Sequence, residues 1–267
     1  MDDSLALLDD QIAIHKRYSQ HPYDLDADVA GALALTGDEQ ILDVGCGTGE
    51  FLRHLLHHGH RGPLIGIDLR PAAVEATNRT PGLRACRANV DQLPFTASMF
   101  DRATAKHVLY YLPDPARSLR ELRRVTRPGG RVCVSINHTQ TAPRIHALVA
   151  AHAARSGFAP QPASAVWAAQ PGMPDSVTVA TVAPLMRATF GNVTIRRRDN
   201  ALLFPSVASL LRYAEVIVRF SCGVPPQNSH HDAILAQVRD EVRAWFAANN
   251  SRPWRDAKGY TVFTSTR

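Results

Sequence analysis

Residues 41–51, Ile-Leu-Asp-Val-Gly-Cys-Gly-Thr-Gly-Glu-Phe, carry the densest chemistry in the chain. Ile41 to Val44 read as a short buried strand. Gly45, Cys46, Gly47, Thr48 and Gly49 form a tight turn, and Phe51, Leu52, Leu55 and Leu56 then recur at helical spacing. Such a strand, turn and helix start form a ligand cradle. Glycine accepts backbone angles that other residues resist and lets a ligand approach the main chain. The helix start adds unpaired N–H donors and partial positive charge. The dinucleotide fingerprint Gly-x-Gly-x-x-Gly is not met, because the third glycine arrives one residue early and Glu50 follows it. Glu50 would repel a pyrophosphate, so the turn suits a ligand without phosphate at that point. About 20 residues further on, the apolar run Leu64 to Ile67 ends in Asp68. A carboxylate there accepts from both hydroxyls of a ribose and repels a 2′-phosphate.

A second group of chemically capable residues falls at strand ends. Lys106 and His107 follow a strand expected over Asp101 to Ala105, and His138 follows one expected over Arg131 to Asn137. In open α/β sheets, ligands bind outside the carboxyl ends of the strands. His57, His58 and His60 invite a metal reading, but adjacent histidines on a helix point apart and no cysteine or carboxylate sits at ligand spacing. No metal is expected.

These residues need elements to position them. An amphipathic helix is expected over residues 1–16, with Leu5, Leu8, Ile12 and His15 on one face, and another from Asp26 to Leu35. After the glycine turn, helix runs from Glu50 to His58 and stops at Gly59. Pro71 opens the next helix, and Arg84 to Ala88 is the third strand. Asp114 caps, and Pro115 starts, a helix bearing Leu119, Leu122 and Val125. Pro128-Gly129-Gly130 turns into the fifth strand. Helical crossovers between these strands make the sheet mostly parallel. Helices are expected over Ala142 to Arg155 and Val177 to Phe190, with a lid or cap over 156–176. Val193 to Arg197 and Tyr260 to Thr264 complete the sheet.

The composition bounds the reading. A chain of 267 residues, 45% hydrophobic, is one large domain or a domain with a cap. No apolar run approaches a membrane span. The acidic start Met-Asp-Asp-Ser-Leu lacks the basic residues of a secretory signal. Four scattered cysteines without a Cys-x-x-Cys pair read as reduced thiols in a cytoplasmic protein. A formal charge of +6 permits an acidic or nucleic-acid partner, yet no interleaving of basic and aromatic residues suggests base stacking.

Ile-Leu-Asp-Val-Gly-Cys-Gly-Thr-Gly followed by Ile-Gly-Ile-Asp resembles the class I S-adenosylmethionine (SAM) dependent methyltransferases, in their small-molecule, ubiquinone-biosynthesis-like branch. Asn89-Val90-Asp91-Gln92-Leu93-Pro94-Phe95 is similar to that family's loop after the third strand. Phe100-Asp101, His107 to Pro115, Leu119 to Val125 and Pro128-Gly129-Gly130 match its fourth strand and the approach to its fifth. The resemblance covers about residues 30 to 137. It implies a doubly wound, mostly parallel, seven-stranded Rossmann-like α/β sheet with an antiparallel last strand. The expected division is N-terminal helices over the cofactor (1–36), a SAM-binding core (37–138), a lid or helical segment (139–190) and the last two strands (191–267). In the plainest members a short loop joins those strands. Here an insertion of about 199–258 carries two amphipathic helices, expected to cap the acceptor pocket or to form a dimer surface.

The resemblance also implies roles. SAM would lie on Gly45, Cys46, Gly47 and Gly49, with Asp43 reaching its ammonium or capping the turn's amides, and Asp68 on the ribose. Asn89, where the family usually has Asp, would accept from the adenine amine, and Val90 would offer its backbone N–H. Leu69 and Leu93 would pack on the ring, Lys106 would sit by the methionine amino group, and Tyr18, with Arg17, would approach the methionine portion. The implied reaction moves a methyl group to an N, O or C nucleophile of a small molecule. His107 is the first choice of base, because imidazole titrates near neutrality, with Tyr110, Tyr111 and His138 behind it. The alternatives are an RNA methyltransferase and a non-catalytic SAM-binding partner protein. No membrane partner is expected, and the chain is read as a monomer or homodimer.

Overall fold

The computed structural model describes residues 3–22, 24–137, 141–158, 177–222, 224, 226–250 and 252–267. Helices α1 (Asp3–Tyr18) and α2 (Leu25–Leu33) precede β1 (Ile41–Val44). There follow α3 (Glu50–His57), β2 (Leu64–Asp68), α4 (Pro71–Asn78), β3 (Leu83–Arg87), β4 (Phe100–Lys106), α5 (Pro115–Val125) and β5 (Thr126–Asn137). After α6 (Pro143–Arg155) and α7 (Val179–Phe190) come β6 (Thr194–Phe204), α8 (Val207–Ser221), α9 (His231–Ala248) and β7 (Trp254–Thr266). The seven strands form one sheet in the order β3-β2-β1-β4-β5-β7-β6. The β1 pairings with β2 and β4 are parallel, as are β2 with β3 and β4 with β5, whereas β7 runs antiparallel to β5 and β6. This is the doubly wound sheet expected, with its antiparallel last strand.

Local chemistry accounts for the element ends. Asp114 accepts from Arg117 N at 2.9 Å as the α5 N-cap, and Pro115 fills the first helical position. The carboxyl end of α2 is closed less obviously. Arg102 Nε donates to Leu33 O at 2.8 Å, and Arg131 Nη1 donates to Ala32 O at 3.1 Å. These guanidinium groups satisfy carbonyls that a helix end leaves unpaired. They also explain why β4 is more polar than its neighbours.

Two apolar clusters pack on the two faces of the sheet. One joins α5 and α7 to β4 and β5, through Leu119, Leu122, Met186 and Phe190. The other joins α2 and α3 to the sheet, through Leu33, Phe51 and Leu55. A third cluster lies beyond the sheet proper and gathers α1, α6, α8 and α9 around Tyr213, Phe204, Val238 and Trp254.

That third cluster exists because β6 and β7 are longer than the sequence suggests. Pairing of β5 with β7 stops at Asn137 and Tyr260, but β6 and β7 continue together to Phe204 and Trp254. The inserted segment is therefore 205–253, not about 199–258. The polar residues Arg198, Asp199 and Asn200 interrupt the apolar pattern just where the strand continues, which hid its second half. This two-stranded ribbon extends past the carboxyl ends of the parallel strands, the side on which such sheets bind ligands. The tail of α1 is strapped to it, with Gln20 N donating to Ala201 O at 2.8 Å and a bridge between Ser19 and Leu202. The stretch 159–176, most of the expected lid, lies outside the described residues.

Candidate functional site

The glycine turn has the geometry its composition implies. Gly45, Gly47 and Gly49 have φ values of 65°, 56° and 81°, in the left-handed region where a Cβ is strained. Their surroundings differ. A Cβ on Gly45 would lie 2.4 Å from Val108 Cγ2, and one on Gly49 would lie 2.9 Å from the Thr77 side chain. A Cβ on Gly47 would meet nothing within 4 Å. Gly45 and Gly49 therefore serve close packing, and Gly47 faces open space on the ligand side. Cys46 turns the other way. Its backbone N donates to Ile67 O at 2.9 Å, and its thiol packs in the core near Thr77, where burial pushes its pKa up to about 12. Cys46 thus contributes backbone to the turn, with its side chain directed away from any ligand.

Asp68 ends β2 beside this turn and is buried. One carboxylate oxygen accepts from Gly47 N at 3.0 Å, and the other from Arg70 N at 2.9 Å and Arg70 Nε at 3.2 Å. A carboxylate has about four acceptor sites, and the fourth is taken by Arg70 Nη2 at 3.5 Å, a long contact that a sugar hydroxyl would replace. Next to it, Leu69 is 51% exposed, an unusual state for a leucine at a strand end. Leu93 and Val90 are buried in the facing loop. Asn89 caps that loop's short turn by accepting from Asp91 N at 3.0 Å.

On the α2 side, Lys106 donates to Asp26, and its ammonium lies 4.4 Å from the centre of the Phe51 ring. Asp43 is almost fully buried and accepts from the Thr104 hydroxyl at 2.5 Å. Burial raises its pKa to about 6, opposed by the nearby Lys106 charge. Asp26, Thr104, Lys106 and Asp43 form one polar group under the turn. Asp26 and Thr104 were not among the residues the sequence singled out. Lys16 of α1 donates to Glu50 at the start of α3, so Glu50 is an ion-pair partner here.

Tyr18 is placed away from the turn. Its ring centre is 5.2 Å from that of Phe204, within the helical cluster. From α1, His15 points toward the centre of the molecule instead. Its Nε2 is 3.1 Å from the Tyr213 hydroxyl.

His107 follows β4 with a left-handed φ of 54°. Non-glycine residues held in that region cluster at functional sites. Its N–H donates to Ser135 O at 2.9 Å, and its Nδ1 is buried with no hydrogen-bond partner among the described residues. Tyr110 lies nearby, with ring centres 6.2 Å apart. Burial raises the pKa of Tyr110 well above the usual phenol value and that of Tyr111 to about 12, so both phenols are donors and not bases at neutral pH. His138 lies outside the described residues.

Near His107 the fold gathers polar groups that the sequence did not bring together. His15 lies within electrostatic reach of Lys258, His107 and His146, and His107 within reach of Lys258. Tyr213 touches both His15 and His146, whose ring centre is 6.2 Å away. The elements that bring these groups together are α1, the end of β4, α6, α8 and the β7 extension. One signal was available. Lys258 stands two residues before Tyr260 and so shares its face of the strand.

Burial lowers the pKa of His15 to about 3 and those of His107 and His146 to about 4, aided at His15 and His107 by neighbouring lysines. All three are neutral in the folded state and protonate near 6.5 when unfolded. The unfolded chain therefore binds more protons between about pH 6.5 and 4, and stability falls as pH is lowered through that window. Asp43, raised to about 6, acts in the opposite direction there, but it is one group against three. The expected result is a thermal midpoint that drops steadily on acidification from neutrality. A midpoint flat across this window would refute the burial of these histidines.

The three histidines near Gly59 bond to backbone. His57, His58 and His60 each place a ring nitrogen 2.8 Å from a carbonyl, of Arg53, His54 and Glu39 respectively. Among the described residues, Asp24, Asp26 and His54 come close enough together to hold a cation. Asp24 is already the α2 N-cap and Asp26 already pairs with Lys106, whose charge opposes a cation there.

Comparison with known proteins agrees with this geometry. A family model described as a methyltransferase domain matches residues 42–134. The malonyl-[acyl-carrier protein] O-methyltransferase of Serratia marcescens is 35% identical over 98 residues, which is 36% of this chain and 38% of that protein. Matches to the first three curated relatives span between 31% and 38% of their lengths. The YcgJ protein of Bacillus subtilis superposes with a TM-score of 0.56 at 16% identity, covering 91% of this chain and 97% of that one. The phosphoethanolamine N-methyltransferase 2 of Haemonchus contortus, solved with S-adenosyl-L-methionine, gives 0.54 at 11% identity, covering 91% and 52%. Residues 42–134 thus match a methyltransferase domain, and the comparisons support a class I SAM-dependent methyltransferase with SAM as its cofactor. The open space at Gly47, the Asp68 carboxylate beside it and the exposed Leu69 suit a nucleoside cofactor.

Proposed function

We propose that this protein transfers a methyl group to a small-molecule acceptor held between the carboxyl ends of β4 and β5 and the helical module of α1, α6, α8 and α9. The observation that carries this reading is His107 Nδ1, a buried ring nitrogen without a hydrogen-bond partner among the described residues, at the end of the strand beside Lys106. A buried polar atom left unpaired costs about 1–3 kcal/mol, and a ligand proton is the natural relief.

When bound, SAM supplies a sulfonium methyl that is already strongly electrophilic. The chain's own work is alignment, worth up to about 7–11 kcal/mol for well-oriented reactants. Asp68 holds the ribose, the Gly47 amide region faces the ligand, and Leu69, Leu93 and Val90 bracket the base. Lys106, fixed by Asp26, defines the methionine end. His107 is neutral and takes the acceptor's proton at Nδ1, while Tyr110 donates. The module buries the acceptor and keeps water out. The malonyl-acyl-carrier relative, an O-methyltransferase, supports a small oxygen nucleophile as the acceptor class.

Incubation with methyl-labelled SAM and fractions of native extract tests this reading. Label is expected in low-molecular-mass material. Label recovered in RNA, or in nothing, would contradict it.

A further inference from the structure

Resting on the methyl-transfer reading above, we infer that Lys258, which lies near His15 and the Tyr213 hydroxyl that His15 meets, is the subsite for a carboxylate on the acceptor, which thereby presents its nucleophile to His107. Lys258 lies on the β7 extension opposite Asn200. Its ammonium donates to Ser19 Oγ at 2.7 Å. Among the described residues no carboxylate is within ion-pair distance of it. An ammonium has three donors, so two remain for a ligand. Burial lowers its pKa to about 8, which still leaves it mainly charged near neutrality. A buried cation without a counter-charge is unfavourable, and an anionic ligand would supply one.

The acids that share its face are committed elsewhere. Asp256 is buried and accepts from Arg144 N at 3.1 Å, Ile145 N at 2.9 Å and Trp254 Nε1 at 3.2 Å. It caps α6, whose own N-cap residue, Ala142, has no side-chain cap. Asp28 accepts from Tyr260 and from Arg198, at 2.8 Å each. The other polar neighbours are His15 with the Tyr213 hydroxyl and His146 against the Tyr213 ring, with the Asp256 charge within reach of His146 and Tyr213 but held by its own donors. One ammonium with neutral donors matches a monoanion. A phosphoryl group would call for an arginine fork or a free helix N-terminus, and the α6 N-terminus is occupied by Asp256.

The test uses the full chain saturated with S-adenosylhomocysteine, with benzoate and the neutral isostere benzamide as probes, read by ligand-observed NMR. Benzoate is expected to bind and benzamide to bind at least tenfold more weakly. Lys258→Met, which keeps the chain length and removes the charge, is expected to lose benzoate binding about tenfold, the effect of one charge-assisted contact, and Lys258→Arg to keep part of it. Homocysteine-nucleoside affinity, measured separately by calorimetry, is expected to be unchanged in both variants. Equal binding of the two probes, no benzoate binding, or benzoate binding that survives Lys258→Met would overturn the subsite. A Lys258→Met variant that loses the homocysteine nucleoside would overturn it too, by assigning the lysine to the cofactor. If the wild-type chain fails to bind that nucleoside, the methyl-transfer reading falls, while the benzoate comparison, repeated without it, still decides the subsite.

Discussion

His107→Ala lowers turnover by about two to four powers of ten, the range of a positioned base, and leaves SAM affinity close to that of the unaltered chain. The separation follows from placement. His107 stands past the end of β4, with its ring centre 6.2 Å from that of Tyr110. Its left-handed backbone also means that alanine retains the strain while losing the ring, so the fold is kept at similar local cost. The measurement is single-turnover transfer alongside calorimetric SAM binding. Equal losses in both would make His107 a structural residue. Its lowered pKa sets the pH behaviour as well. With a value of about 4, the imidazole remains unprotonated well below the usual histidine range. Activity should therefore persist on the acid side until the buried histidines destabilise the fold. A steep loss near 6.5 without unfolding would contradict a desolvated His107.

Asp68→Ala is the second large effect, a fall in SAM affinity of at least an order of magnitude. Two interactions vanish together. The ribose loses a buried, charged acceptor, and hydrogen bonds to charged groups contribute about 1.5–3 kcal/mol each. The Gly47 amide loses the carboxylate oxygen that holds it at 3.0 Å, so the turn itself relaxes. Asp68→Asn separates the two contributions, since one amide oxygen can still accept from Gly47. Unchanged binding in Asp68→Ala would remove the ribose assignment.

The contrast between these two residues and Lys258 shows what the sequence makes legible. The turn at Gly45 to Gly49 and the acid at Asp68 are local features with a fixed spacing along the chain. They read directly, as did Asp114 and Pro115 at the start of α5. The groups that surround His107 meet only through tertiary structure. Lys106 pairs with Asp26 across 80 residues, and Lys258 meets Ser19 across 239. No local pattern encodes such contacts. The β6 and β7 extensions were hidden for a related reason, because Leu202, Phe204 and Trp254 bury only against the helices of the third cluster, which come from distant parts of the chain. Tyr18 shows the reverse failure. The resemblance assigns it to the cofactor, whereas its ring packs on Phe204 in a module whose helices lie outside residues 42–134.

The most direct measurement is a crystal structure of the chain with S-adenosylhomocysteine. The account predicts the ribose hydroxyls on Asp68, the adenine between Leu69 and the Val90 to Leu93 loop, and the sulfur directed toward His107 and Lys258. A nucleoside bound away from Asp68, or a sulfur turned from His107, would contradict it.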